Sequence, residues 1–205
     1  RGLEAVRTQH TLFAKLPPHD LFFYTTDEGS AARAPSLAPH VIQVARDVAI
    51  PTLVVDGDSY VYGSGVALQR LVQLWHGVDQ CFRLIQVREV QRGVKYTTII
   101  RARPDIITAG FSGIPKVLTH VLVVRPPAAA RWAHVTDVFA VGPRSHMARY
   151  MTMARGCLGQ ARAGRYGEHG GWDSEAKLEA CLEIAGVPWR HVPEWRMLVL
   201  RAAAS

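Results

Sequence analysis

Apolar residues recur at three- and four-residue steps from Val66 to Val90, through Leu68, Leu71, Val72, Leu74, Trp75, Val78, Phe82 and Ile85, and stop at Gly93. That period predicts a helix of about seven turns, broadly apolar and so buried between a sheet and its neighbours. Before it, residues 3 to 16 carry Leu3, Val6, Leu12, Phe13 and Leu16 at helical spacing, and Pro17-Pro18 stops them. "DLFFYTT" crowds aromatic and β-branched residues between turn signals and reads as a short buried strand. Residues 27–40 form a loop, 41–44 and 52–55 two short extended pieces, and Gly63-Ser64-Gly65 a break. Beyond the long helix come strands at 96–101 and 118–124, a Pro/Ala loop, and "VTDVFAVG" as a further strand. A helix follows at 145–154, then a flexible glycine-rich loop at 156–171, a helix at 174–185 stopped by Gly186, and a last strand, "RMLVLR". Alternating strands and helices predict an α/β fold, a sheet layered by helices, with ligands at the carboxyl ends of strands.

Composition narrows this reading without changing it. With 205 residues, 48% of them hydrophobic, the chain suits a single domain with a full core. Lysine and arginine (24) outnumber aspartate and glutamate (17), and the excess is mostly arginine spread along the chain. Such a spread suits a small anionic partner such as a nucleoside diphosphate. Nucleic acid is not expected, because no basic stripe with interleaved aromatics occurs. Cys81, Cys157 and Cys181 lack metal-site spacing, and buried free thiols are expected, one bridge remaining open. No apolar run is long enough for a membrane span, and no signal peptide opens the chain. The first residue is not Met, which leaves room for a longer protein with its anchor or address elsewhere. The compartment therefore stays open between cytoplasm and Golgi lumen.

Two aspartate-bearing stretches compete for chemistry. "VVDGDSY" sets Asp56 and Asp58 around a glycine, a pair that could chelate a hard cation or simply form a turn. In "IIRARPDI", a strand continuing through Asp105 would put Arg101, Arg103 and Asp105 on one face, with Ala102 and Pro104 opposite. Two guanidiniums can hold diphosphate oxygens bidentately while a carboxylate holds a bridging metal. The plainer alternative is a surface turn in which Asp105 pairs with Arg103. Asp137, in "TDVFAVG", is a candidate base or acceptor-binding group, or else bonds nearby backbone. His146 reads as a surface or packing residue, and His169, beside glycines in the 156–171 loop with Glu168, as a surface histidine with metal ligation or a phosphate contact as the alternative. Asp173 or Ser174 caps the last helix, and Glu175 complements its dipole. GxSxG, GxGxxG and GxxxxGK[ST] are all absent, which disfavours a serine hydrolase, a Rossmann cofactor site and a P-loop.

Four stretches in order carry a family resemblance. "CFRLIQVREVQRGVKYTTIIRARPDI" resembles a segment of glycosyltransferases from bacteria, algae and large algal viruses, in which a long helix with a late Glu leads into Y-x-x-x-x-R-x-R-P-D. "TDVFAVGPRSHMARYM", "SEAKLEACLEIAGVPWR" with its closing "LVLR", and the early "LPPHDLFFYTT" are similar to further segments of that family. The likeness implies a GT-A-like, Rossmann-related mixed sheet flanked by helices. It implies transfer of a hexosyl or deoxyhexosyl group from a nucleoside-diphosphate sugar to a glycan or other hydroxyl acceptor. By the same likeness Asp105 would hold Mn²⁺ or Mg²⁺, Arg101 and Arg103 would lie near the diphosphate, and Asp137 would reach the acceptor side of the cleft. Asp56 and Asp58 stay a second-choice metal site on their own spacing, since the resembling proteins carry no defined catalytic acid there, and Asp137 is the first choice of base, with Glu175 next. Thr136 stands where the family usually carries Asn, and the chain begins at the helix after the family's first strand. The alternative is a non-catalytic nucleotide-sugar or carbohydrate-binding domain of the same fold.

Overall fold

The computed structural model describes residues 16, 18–25, 41–46, 65–103, 106–109, 111–124, 135, 137–161, 174–192 and 194–199. Their architecture is mixed α/β. They fall into two compact units: the described residues of 20–96 and 148–174 form one, and those of 1–19, 97–147 and 175–205 form the other. We call them the helical unit and the sheet unit.

The helical unit pairs strand β1 (Leu21–Thr25) in parallel with β2 (Val41–Arg46), and helix α1 (Gly65–Arg92) packs on both. The expected seven-turn helix is thus present, but its last turns are one-sided. Trp75, Val78, Phe82, Ile85 and Glu89, spaced three and four apart, are buried, whereas Val90 is 82% exposed and Val87 is exposed beside it. The helix ends because Gly93 adopts φ 65°, a left-handed conformation that costs glycine little.

The sheet unit holds β3 (Thr98–Ala102), β4 (Ile106–Ala109), β5 (Val121–Val124), β6 (Phe139–Pro143), β7 (Trp189–Val192) and β8 (Arg196–Val199). Four strands form a sheet in the order β3-β6-β5-β7, and β4 and β8 form a separate antiparallel pair. β6 runs antiparallel to both β3 and β5, while β5 and β7 are parallel, so the sheet is mixed. One face carries Leu122, Val124, Phe139 and Val141, clustered with Phe111, Val138 and Trp195. The rings of Phe111, Phe139 and Trp195 lie 5.1 to 5.9 Å apart in tilted and edge-to-face contacts. β6 approaches β5 so closely that a Cβ built on Gly142 would stand 3.1 Å from the Val121 Cα. Only glycine fits there without displacing backbone.

Two further helices lie among the described residues, α2 (Arg144–Ala161) and α3 (Ser174–Ile184). α3 ends in a Schellman arrangement. The Val187 N–H donates to the Leu182 carbonyl at 2.9 Å, the Gly186 N–H to Glu183 at 3.0 Å, and Gly186 has φ 59°. Buried Val187 and Leu182 add the apolar contact such ends favour, and the chain then turns into β7.

Three expectations are corrected. The strand of the RARPD stretch ends at Ala102, and the next strand, β4 from Ile106, belongs to a different sheet because it takes β8 as its partner. α2 continues to Ala161, seven residues past the expected end, since Gly156 and Gly159 lower helix propensity but do not by themselves stop a helix. Cys181 is disulfide-bonded, whereas Cys81 keeps its thiol; the spacing of cysteines along a chain does not show which meet in space. The expected helix at 3–16, apart from residue 16, and the extended piece at 52–55 lie outside the described residues.

Candidate functional site

The sheet unit brings Arg101, Arg103 and Asp137 to one edge of its sheet. Arg101 pairs with Ala140 and Ala102 with Phe139, and the Arg103 N–H donates to the Val138 carbonyl at 3.0 Å, carrying the ladder one residue past the strand. Asp137 lies just before β6 on the other side of this ladder. Arg103 Nη1 reaches its Oδ2 at 3.4 Å and its Oδ1 at 3.5 Å. These are long contacts for a charged pair, and Asp137 is only 5% exposed.

Arg101 is the unusual member. It is 7% exposed, and its buried Nη1 has no hydrogen-bond acceptor. A buried cation of this kind is costly unless an anion meets it. The register agrees with the rule for α/β sheets. β3, β5 and β7 run in one direction and end on the same edge, and β6 begins there.

A second ionic assembly lies in the helical unit. The Tyr96 hydroxyl donates to Asp20 Oδ2, Arg92 Nη1 donates to the same oxygen at 3.0 Å, and Arg88 Nε stands 3.6 Å from it. The Tyr96 N–H donates to Glu89 Oε1 at 3.1 Å, its ring meets Phe22 edge-to-face at 5.9 Å, and the Arg92 guanidinium lies 5.8 Å from the ring centre. Burial alone would raise the Asp20 carboxyl, but the Tyr96 hydrogen bond and then the Arg92 and Arg88 charges bring it below the ordinary carboxylate value. The Tyr96 phenol moves up, first through burial and then through its bond to Asp20. Asp20, the late Glu89 and Tyr96 all stand within the stretches that carry the family resemblance, and here they hold one another.

The other expected residues divide as follows. Asp105, Asp56 and Asp58 lie outside the described residues, as do Glu168, His169 and Asp173. Glu175 is the second residue of α3, its side chain outside the description. His146 sits on the first turn of α2, as expected, with a buried Nδ1. Among the described residues no three His, Cys, Asp or Glu side chains gather as a metal group, and no helix is long and apolar enough to cross a membrane.

Sequence reasoning missed β7, and with it His191. Four residues between Pro188 and Pro193 are easily read as loop, although Trp189-Arg190-His191-Val192 alternates as a short strand does. No protein-family model, curated protein or solved structure matches the chain. The glycosyltransferase resemblance therefore rests on the quoted motifs alone.

Proposed function

We propose that the chain is a glycosyltransferase of GT-A-like fold that moves a sugar from a nucleoside-diphosphate donor to a hydroxyl acceptor. The observation that carries the reading is Arg101, a buried guanidinium with an unpaired Nη1 at the sheet edge where Arg103 and Asp137 meet. Arg101 and Arg103 bind the donor diphosphate and stabilise the charge that grows on it as the sugar leaves. Asp137 stands on the acceptor side as a hydrogen-bond acceptor for the incoming hydroxyl, with Glu175 as the alternative. The described part of the site supplies one carboxylate, Asp137, already engaged by Arg103, and so holds no metal by itself. Mn²⁺ or Mg²⁺ belongs to the proposal through Asp105, or through Asp56 and Asp58. When bound, the cation acts as a Lewis acid on the diphosphate.

A second reading, a non-catalytic nucleotide-sugar or carbohydrate-binding domain, is favoured by the same ion pair, because the carboxylate at this edge is already engaged by Arg103. Titration calorimetry with UDP and GDP, with and without Mn²⁺, tests the shared premise. Hydrolysis of UDP- and GDP-sugars then separates the two readings. Release of sugar supports the transferase, and binding without release supports the binding domain. If neither nucleotide binds, both fail.

A further inference from the structure

The outer face of α1 changes character toward its end. From Leu74 to Phe82 every residue is buried or half-buried, whereas Arg83, Val87, Val90 and Arg92 are exposed, as are Val94 and Lys95 just past the Gly93 turn. Val87, Val90 and Val94 are 45%, 82% and 64% exposed, and Val87 and Val90, three positions apart, share one side of the helix. The carboxylates of this stretch lie beneath that surface. Glu89 is buried and accepts the Tyr96 N–H, Asp79 is buried and meets Arg83 Nε at 3.2 Å, and the half-buried Asp20 meets Arg92. From Arg83 to Thr97 every exposed ionisable side chain is therefore basic. An arginine has five N–H donors, so a single ion pair leaves most of them for a further acceptor.

We propose that this end of α1 docks on an anionic membrane surface, a role separate from the transferase reading. Val87, Val90 and Val94 enter the headgroup layer, while Arg83, Arg92 and Lys95 meet lipid phosphates and carboxylates. Charge complementarity selects this occupant. A second copy of the chain seated on the same face would set cations against cations. A neutral apolar surface would take the valines and leave the cations unanswered. An anionic bilayer meets both, with negative charge at its surface and an acyl boundary just beneath. The contact needs no spanning helix, and α1 keeps its buried side on β1 and β2 throughout.

The test is co-sedimentation with two kinds of vesicle, phosphatidylcholine alone and phosphatidylcholine mixed with phosphatidylserine. Wild type is expected to bind the mixed vesicles, to leave the neutral ones, and to come off as salt is added. Val87→Ser combined with Val90→Ser keeps every charge and should lower the partition coefficient roughly 10-fold or more. Lys95→Gln should lower it about 5-fold, the effect of one basic residue near the surface. Val117→Ser, at a valine of the sheet unit that is 75% exposed, should leave it unchanged. All four positions are exposed, and far-UV circular dichroism verifies that the variants fold. Absence of binding to the mixed vesicles overturns the proposal, as does equal binding to both kinds. Binding that survives the paired valine substitution overturns it too, and assigns the attachment to the chain's overall positive charge. Polyglutamate that displaces the vesicles from wild type and from the paired variant equally overturns it in favour of an acidic protein partner. Self-association abolished by the same valine substitutions, without vesicle binding, would assign the face to a second copy of the chain.

Discussion

Each unit contains an assembly of arginines around one aspartate, and the two are built to different standards. At Asp20 one carboxylate oxygen meets Tyr96, Arg92 and Arg88, and the Tyr96 backbone is bonded to Glu89 as well. At Asp137 a single arginine reaches the carboxylate, at 3.4 and 3.5 Å, and the neighbouring Arg101 keeps a buried Nη1 without an acceptor. The first assembly is closed on itself, as a structural network is when its members rigidify one another. The second leaves one buried donor unmet, which is what makes it the candidate site. Residues of the same quoted stretches thus differ in kind: Asp20 and Tyr96 satisfy one another, while Arg101 keeps a buried donor unmet.

Arg101→Met offers the sharpest way to break the contrast. Replacing an unpaired buried cation by an apolar side chain of similar length is expected to leave stability unchanged or raise it, by about 1–4 kcal/mol in comparable cases. The same change should weaken UDP or GDP binding roughly 10- to 100-fold, the value of a charge-assisted hydrogen bond. Calorimetry and urea denaturation read the two effects separately, and a large loss of stability would mean that Arg101 is structural after all. Asp20→Ala should do the opposite, costing about 1–3 kcal/mol because Tyr96 and Arg92 lose their acceptor, with nucleotide affinity retained. Acid sharpens the same point. The folded-state pKa of Asp20 is depressed, so its contribution is present above its unfolded value, about 3.9, and fades as pH falls through the lower folded value. Denaturation of wild type at pH 7, 5 and 3 should show that loss only at the lowest pH, and Asp20→Asn should lack this component. The smallest effect belongs to Tyr96→Phe, which removes one hydroxyl and should cost about 0.5–1.5 kcal/mol. A cost near zero in thermal melts would show that Arg92 and Arg88 satisfy Asp20 without it.

Strongly periodic segments were legible in the sequence, weakly periodic ones were not. α1 was readable almost to the residue, since ten apolar positions at helical steps and a terminal glycine leave little choice. The exposure of Val87 and Val90 was not, because periodicity in apolar residues does not say which of them meets a neighbour. β3 and β6 were legible too, yet the separation of β4 into another sheet is a matter of tertiary pairing with β8. At the candidate site Arg103 and Asp137 were both picked out, but their mutual ion pair joins residues 34 apart and needs the β3/β6 register to appear. The depth of Arg101 was hidden by its own chemistry, since arginine is ordinarily an exposed residue. Asp20 and Tyr96, 76 residues apart, could be quoted as parts of two motifs but not seen as one bond.

The tight fit at Gly142 has a consequence for how this protein can change. The sheet has two halves, the β3/β6 pair with Arg101 and the β5/β7 pair with His191, and Gly142 sits on the seam between them. A single added methyl group would stand 3.1 Å from the Val121 Cα, so one strand would have to give by a few tenths of an ångström. A change of one atom at Gly142 is therefore felt along the whole β5/β6 seam, which also carries Leu122 and Val141 of the aromatic cluster.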